Sequence, residues 1–277
     1  MSYLYAIFLG IVQGVAEFLP ISSSGHLSIF QNFMGLDNPE ESNLFFDVLL
    51  HFGTLIAVFV AYREEILDLI VEFISMLKRE RSPMGRAAGL SNRRMILLVI
   101  LGTLPLFLIL PIKDKVEGLY SNTLFIGGAL LVTGLILFFS DRLGHGHKTE
   151  RNSTIGDALL VGVSQALATV PGLSRSGTTI SCGLCCGFER TFAVKYSFFL
   201  SIPAVLGANI LSLVDAISAG IDWTLFPKYL AGVAAAMVSG YLSIRFLKRL
   251  AEKRGFGGFA YYCWGVGAVT IILSLIK

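Results

Sequence analysis

The sequence predicts an all-α integral membrane protein with about six transmembrane helices and two re-entrant helical hairpins in an inverted-topology repeat. Three observations carry this. Apolar residues make up 54% of the chain and charged residues 15%, against roughly 25% charged in soluble domains. Windows of about twenty apolar residues recur, each long enough to cross ~30 Å of hydrocarbon, and their unbroken apolar character excludes a β-barrel. Two further apolar regions, 3–33 and 155–187, hold polar groups at what would be mid-depth, which a lipid-facing helix does not tolerate.

The first repeat covers 1–141 and the second 155–277. Region 3–33 holds Gln13, Glu17, Pro20, Ser22, Ser23, Ser24, Gly25 and His26 near its centre, and reads as two short helices meeting at a polar turn. Spans follow at 44–62, 95–112 and 122–140. Between the first two, 64–78 places Glu64, Glu65, Asp68 and Glu72 among apolar residues at helical spacing, an amphipathic helix for the membrane surface. Region 155–187 holds Gln165, Pro171, Gly172, Ser174, Arg175, Ser176, Gly177 and Thr178, and is followed by spans at 192–214, 229–246 and 260–276.

The two hairpin sequences align with each other. Gln13, Ser22-Ser23-Ser24-Gly25 match Gln165, Ser174-Arg175-Ser176-Gly177, with Pro20 and Pro171 offset by one residue. A hairpin returns to its starting side and three crossings do not, so the second copy begins on the opposite face. The two tips then meet near the midplane as one composite polar site.

Charge gives the orientation. Arg63 and the arginines and lysines of 78–94, Arg142, Lys148, Arg151, Arg190, and the basic residues of 245–254 fall on one face; Lys113, Lys115, Lys228 and Lys277 on the other, with acidic stretches at 37–42 and 215–222. The positive-inside rule makes the basic face cytoplasmic, with both termini and the mouth of the first hairpin outside. The N-terminus has no basic region or small-residue cleavage motif, so no removable signal peptide is expected. Cys182, Cys185, Cys186 and Cys263 are expected to pack as small buried residues rather than bind metal.

Gln13 and Glu17, four apart, share a helix face. They are either a packed polar pair or part of an active site, and an acid at membrane depth favours the latter. Ser22, Ser23 and Ser24 follow Pro20 at a new helix N-terminus, where free N–H groups and the positive dipole end favour phosphate. A serine there can attack or cap, and His26 can move a proton or satisfy a carbonyl. Arg175 suits a phosphate bidentately or pairs with Glu17, and the two are compatible. Gly172 permits close backbone approach, and Ser174, Ser176 and Thr178 add donors. Asp47, His51 and Lys195 are ionisable groups inside spans that can support the site. The small residues of 232–240 allow close packing within the chain or against a second copy in a homodimer.

With both motifs in view, the chain resembles the undecaprenyl-pyrophosphate phosphatase family of the bacitracin-resistance type, over essentially its whole length. The resemblance rests on Glu17-Phe-Leu-Pro-Ile-Ser-Ser-Ser-Gly-His26 and Pro171-Gly-Leu-Ser-Arg-Ser-Gly-Thr178. It implies hydrolysis of undecaprenyl pyrophosphate to the monophosphate carrier used in cell-wall synthesis, with Glu17 as essential acid, Ser23 as nucleophile, His26 associated and Arg175 binding phosphate. It also implies a divalent cation, Mg2+ or Ca2+, with Glu17 as a ligand. One position departs: where the family commonly has a second acid, this chain has Gln13, which lends an amide oxygen but no charge. The expected partners are a polyprenyl pyrophosphate and membrane lipid, not nucleic acid. A polyprenyl-phosphate transporter or flippase of the same fold is the alternative, and a binding protein without turnover a third reading.

Overall fold

The computed structural model describes residues 1–33, 44–144, 146–253 and 255–276. The acidic stretch 37–42, Arg254 and Lys277 of the charge argument lie outside them. Among the described residues every regular element is a helix. Five are long and apolar enough to cross a membrane, and a bent pair makes a sixth.

Both polar apolar regions are broken helices. The first is α1 (Tyr3–Phe18) and α2 (Ser23–Phe33), the second α8 (Ile155–Leu167) and α9 (Arg175–Cys185), with α3 to α7 between them. Each second half-helix starts on the same device, a serine hydroxyl accepting the N–H three residues on. Ser22 Oγ caps Gly25 N at 3.2 Å and Ser174 Oγ caps Gly177 N at 3.1 Å, satisfying donors a helix start leaves orphaned. The first turn holds Ser22 at φ 73, and the second holds Gly172 at φ 90. At Gly172 a side chain is excluded twice over, because a Cβ would lie 2.7 Å from both Ala129 Cβ and Ile126 O.

The surface helix expected at 64–78 is α4 (Arg63–Leu77), which leaves the span α3 (Leu44–Ala61) at 87°. Its outward Leu67, Ile70, Ile74 and Leu77 are exposed, as on a helix lying in the interface plane. The span expected at 95–112 differs. Helix α5 (Arg86–Thr103) ends early and the chain continues through the 3-10 turns Leu104–Leu108 and Leu110–Ile112 into the short α6 (Lys113–Glu117). Pro105 and Pro111 supply no backbone N–H, so an α-helical ladder cannot run through them. The other spans are α7 (Thr123–Leu143), α10 (Arg190–Ala219), α11 (Phe226–Lys253) and α12 (Gly257–Ile276). Helices α10 and α11 run past the apolar windows because their ends carry polar residues out of the hydrocarbon.

Helix α1 packs most closely on α11, α12 on α7, and α11 on α3. The small residues of α11 are used within the chain: a Cβ on Gly14 would lie 2.1 Å from Ser239 Oγ and 2.4 Å from Ala236 O. An aromatic cluster fills the centre, with Phe18 edge-on to Phe198 at 5.5 Å and Tyr62 against both Phe198 and Phe199. It stiffens α1 one residue past Glu17. Of the cysteines, Cys263 is buried as expected, whereas Cys185 is exposed on the last turn of α9.

The basic loops meet at one end. Arg94 donates to Ser153 O at 2.5 Å, Ser91 to Glu150 at 2.5 Å, Lys148 pairs with Asp157 at 2.9 Å, and Arg190 binds Asp141, whose carboxylate also accepts Phe256 N at 2.9 Å.

Candidate active site

The two hairpin tips touch. Ser176 Oγ donates to Leu19 O at 3.1 Å, a Cβ on Gly25 would lie 3.2 Å from Gly172 Cα, and one on Gly177 would lie 3.3 Å from Pro20 Cβ. Thr133 of α7 clamps the second tip, donating to Gly172 O at 3.0 Å and accepting Ser174 N at 3.2 Å. Nothing in the sequence marked Thr133, an ordinary residue inside an apolar span.

Glu17 lies where the tips meet, 8% exposed. Its Oε1 is bound by the Arg175 guanidinium, and its Oε2 accepts from Ser23 Oγ at 2.7 Å and Gln13 Nε2 at 3.0 Å. His51 Nε2 stands 3.9 Å from the same Oε2. Its Nδ1 donates to Asp47 O at 2.9 Å, because a carbonyl can only accept. A carboxylate out of water requires such partners, and here both oxygens have them.

His26 is close in sequence to Ser23 but turned to another partner. Its Nδ1–H donates to Ser22 O at 2.8 Å, which fixes the tautomer and leaves Nε2 to accept from the Tyr262 hydroxyl at 2.9 Å. The two rings stack with centroids 5.7 Å apart. Tyr262 escaped the sequence reading, since a tyrosine in a last span looks like an interfacial anchor and its partner lies 236 residues away.

The other candidates divide. Ser22 and Ser174 are spent as helix caps, and Ser176 ties the tips together. Ser24 lies 3.4 Å from Ser22 and is partly open. Thr178 is buried with its hydroxyl unpaired, as is the Gln13 Oε1 oxygen and the whole amide of Gln165, the counterpart of Gln13 in the second hairpin. Lys195 is not near this site; with Glu65, Asp68, Ser91 and Glu150 it lines a cavity of about 50 Å3 at the basic end.

The family resemblance implies a divalent cation at these donors. Among the described residues no group of three or more His, Cys, Asp or Glu is placed to hold one. The orphaned Gln13 Oε1 beside Glu17 is nevertheless a hard oxygen donor with no other use. It fits the way Mg2+ is commonly bound, through one or two protein oxygens with substrate phosphates and water completing the shell.

A polytopic helical membrane protein with a serine, a carboxylate and an arginine gathered between two broken helices is of a class suited to phosphate chemistry on a lipid-borne substrate. The chain belongs to the bacitracin resistance protein BacA family, whose pattern matches residues 6–269. An undecaprenyl-diphosphatase of Methanosphaera stadtmanae is 40% identical over 289 residues, covering 100% of this chain and 99% of that protein. Undecaprenyl-diphosphatases of Alkaliphilus metalliredigens and Carboxydothermus hydrogenoformans are 41% and 40% identical, each covering at least 98% of both chains.

Proposed function

We propose that this chain hydrolyses undecaprenyl diphosphate to undecaprenyl phosphate and inorganic phosphate where the two hairpin tips meet, returning the lipid carrier to cell-wall synthesis. The observation that carries the reading is the Glu17 carboxylate, held between the Ser23 hydroxyl and the Arg175 guanidinium.

The terminal phosphate draws Arg175 off Glu17, since a diphosphate offers more charge and a bidentate fit where Glu17 offers one oxygen. Ser23 Oγ attacks the terminal phosphorus as its proton passes to Glu17 Oε2, already its hydrogen-bond acceptor at 2.7 Å. The bond from that phosphorus to the bridging oxygen breaks, and undecaprenyl phosphate leaves. Water then attacks the phosphoserine as the Tyr262 hydroxyl releases His26 Nε2, which takes water's proton and passes it to the departing phosphate while Ser23 regains the proton held by Glu17. Arg175 and the free N–H groups at the start of α2 stabilise charge on the transferring oxygens. Ser24 and Thr178 are further hydroxyl donors to phosphate, and Gly172 gives room at the tip. Gln13 and Glu17 would hold a divalent cation, which would neutralise diphosphate charge.

The units 1–141 and 155–277 are an inverted repeat, a reading supported by the matched serine caps of α2 and α9. The positive-inside rule places the basic end in the cytoplasm, so the site opens outward. A homodimer would form through a face other than the small residues of α11, which pack on α1.

Phosphate release from undecaprenyl diphosphate by purified protein, with Ser23→Ala and Arg175→Ala alongside, tests the reading. Release that depends on both residues is expected. Binding without release by folded wild type would replace hydrolysis with transport.

A further inference from the structure

The basic end of α11 carries a groove of about 430 Å3 lined by Ala61, Tyr241, Arg245, Lys248, Arg249 and Glu252. The five α11 residues fall at 241, 245, 248, 249 and 252, successive helical turns with Lys248 and Arg249 adjacent, and form one stripe along the helix. Other cations at this end are held by carboxylates, Arg93 by Glu72, Arg190 by Asp141 and Lys148 by Asp157. Among the described residues, Arg245, Lys248 and Arg249 have no ion-pair partner. Lys248 Nζ instead stands 4.1 Å over the ring of Tyr62, which is 1% exposed, and Arg245 lies 5.7 Å from the Tyr241 ring. A cation seated over a buried ring is positioned in advance while its N–H donors stay free.

The depth of the groove points to its occupant. Ala61 ends α3 at the 87° elbow into α4, whose exposed Leu67, Ile70, Ile74 and Leu77 suit it to a membrane surface. The groove therefore sits where the phosphates of a leaflet lie. On the neighbouring face of α11, Leu242 and Phe246 are 58% and 53% exposed, an apolar wall directed to hydrocarbon. Three cations against one carboxylate leave the lining net positive.

We propose that this groove binds the headgroup of an anionic glycerophospholipid from the leaflet at the basic end. Arg245, Lys248 and Arg249 hold its phosphodiester, and its acyl chains lie along Leu242 and Phe246. A soluble anion would leave the apolar wall unused.

Delipidated full-length protein is reconstituted in phosphatidylcholine nanodiscs with or without phosphatidylglycerol, and retained lipid is counted by native mass spectrometry after mild extraction. Wild type is expected to hold phosphatidylglycerol about a hundredfold more tightly than the R245Q/K248Q/R249Q variant, from the loss of three basic side chains near the surface. Phosphate release by the variant in detergent, expected at the wild-type rate, verifies its fold. If the triple variant does not fold, R245Q and R249Q are measured singly, each expected about fivefold weaker. Equal retention by wild type and variants overturns the proposal. So does protection from thermal unfolding by inorganic phosphate that matches that by phosphatidylglycerol in wild type and is lost in the triple variant, which makes this a free-anion site, or stronger retention of a prenyl monophosphate, which makes it a carrier-lipid site.

Discussion

Ser23 and Arg175 occupy matching positions in the two hairpins and meet on opposite oxygens of one carboxylate, Ser23 on Oε2 and Arg175 on Oε1 of Glu17. One fold position thus presents a hydroxyl in the first hairpin and a cation in the second; in the proposed reaction the hydroxyl is deprotonated and the cation draws in phosphate.

The ion pair separates stability from catalysis. Arg175→Ala leaves a buried charge unpaired and is expected to destabilise by about 3–5 kcal/mol, besides lowering kcat about 100-fold or more. Adding Glu17→Gln should return most of the thermal stability and none of the activity. Melting in detergent and phosphate release, read on both variants, check this; a double variant as unstable as the single would show that the pair does not carry the cost.

The Tyr262 hydroxyl positions His26. Tyr262→Phe keeps the ring stack and removes the donor to Nε2, and is expected to lower kcat about tenfold with KM unchanged. Steady-state kinetics distinguish this from a packing defect, which would move KM or melting as well.

With an amide at Gln13 in place of a second acid, the proposed cation is expected to bind weakly. Chelator is expected to stop phosphate release, and Gln13→Glu, by adding a second carboxylate, to lower the Mg2+ concentration for half-activity about tenfold or more. Titrating Mg2+ against release for both proteins gives the comparison. Indifference to chelator would remove the cation from the reaction.

At the basic end, burial pushes the Glu150 carboxyl up, but the Ser91 hydroxyl, its own backbone and the charges of Lys195 and Arg151 outweigh this and hold it below its ordinary value. A carboxylate depressed by folding stabilises above its unfolded value near 4.5 and loses that contribution as pH falls through the folded value. Glu150→Gln is therefore expected to flatten the acid limb of stability, by about 0.5 kcal/mol after solvent screening, as melting between pH 6 and pH 3 would record.

The membrane class and most spans were legible because hydropathy is summed over many residues and tolerates local error. The spacing of Gln13 and Glu17 correctly put their side chains in contact. Prolines explain where legibility failed: residues 95–112 are uniformly apolar, yet Pro105 and Pro111 break the backbone ladder, a constraint that hydropathy does not record. At the site, residues within one motif were visible, whereas Thr133 and Tyr262 act through contacts that join distant spans. His26 marks the limit of spacing arguments. Three residues from Ser23, it spends both ring nitrogens on other partners.

The pair across the two tips also sets an order of events during synthesis. Arg175 is made 158 residues after Glu17, a delay of about ten to thirty seconds at ordinary translation rates. Throughout that interval the first hairpin carries an acid with no counter-charge, so its tip stays within reach of water. The counter-charge comes only with the second hairpin. If the pair acts as a latch on insertion, a chain truncated before Arg175 is expected to leave its first hairpin loosely seated and open to proteolysis.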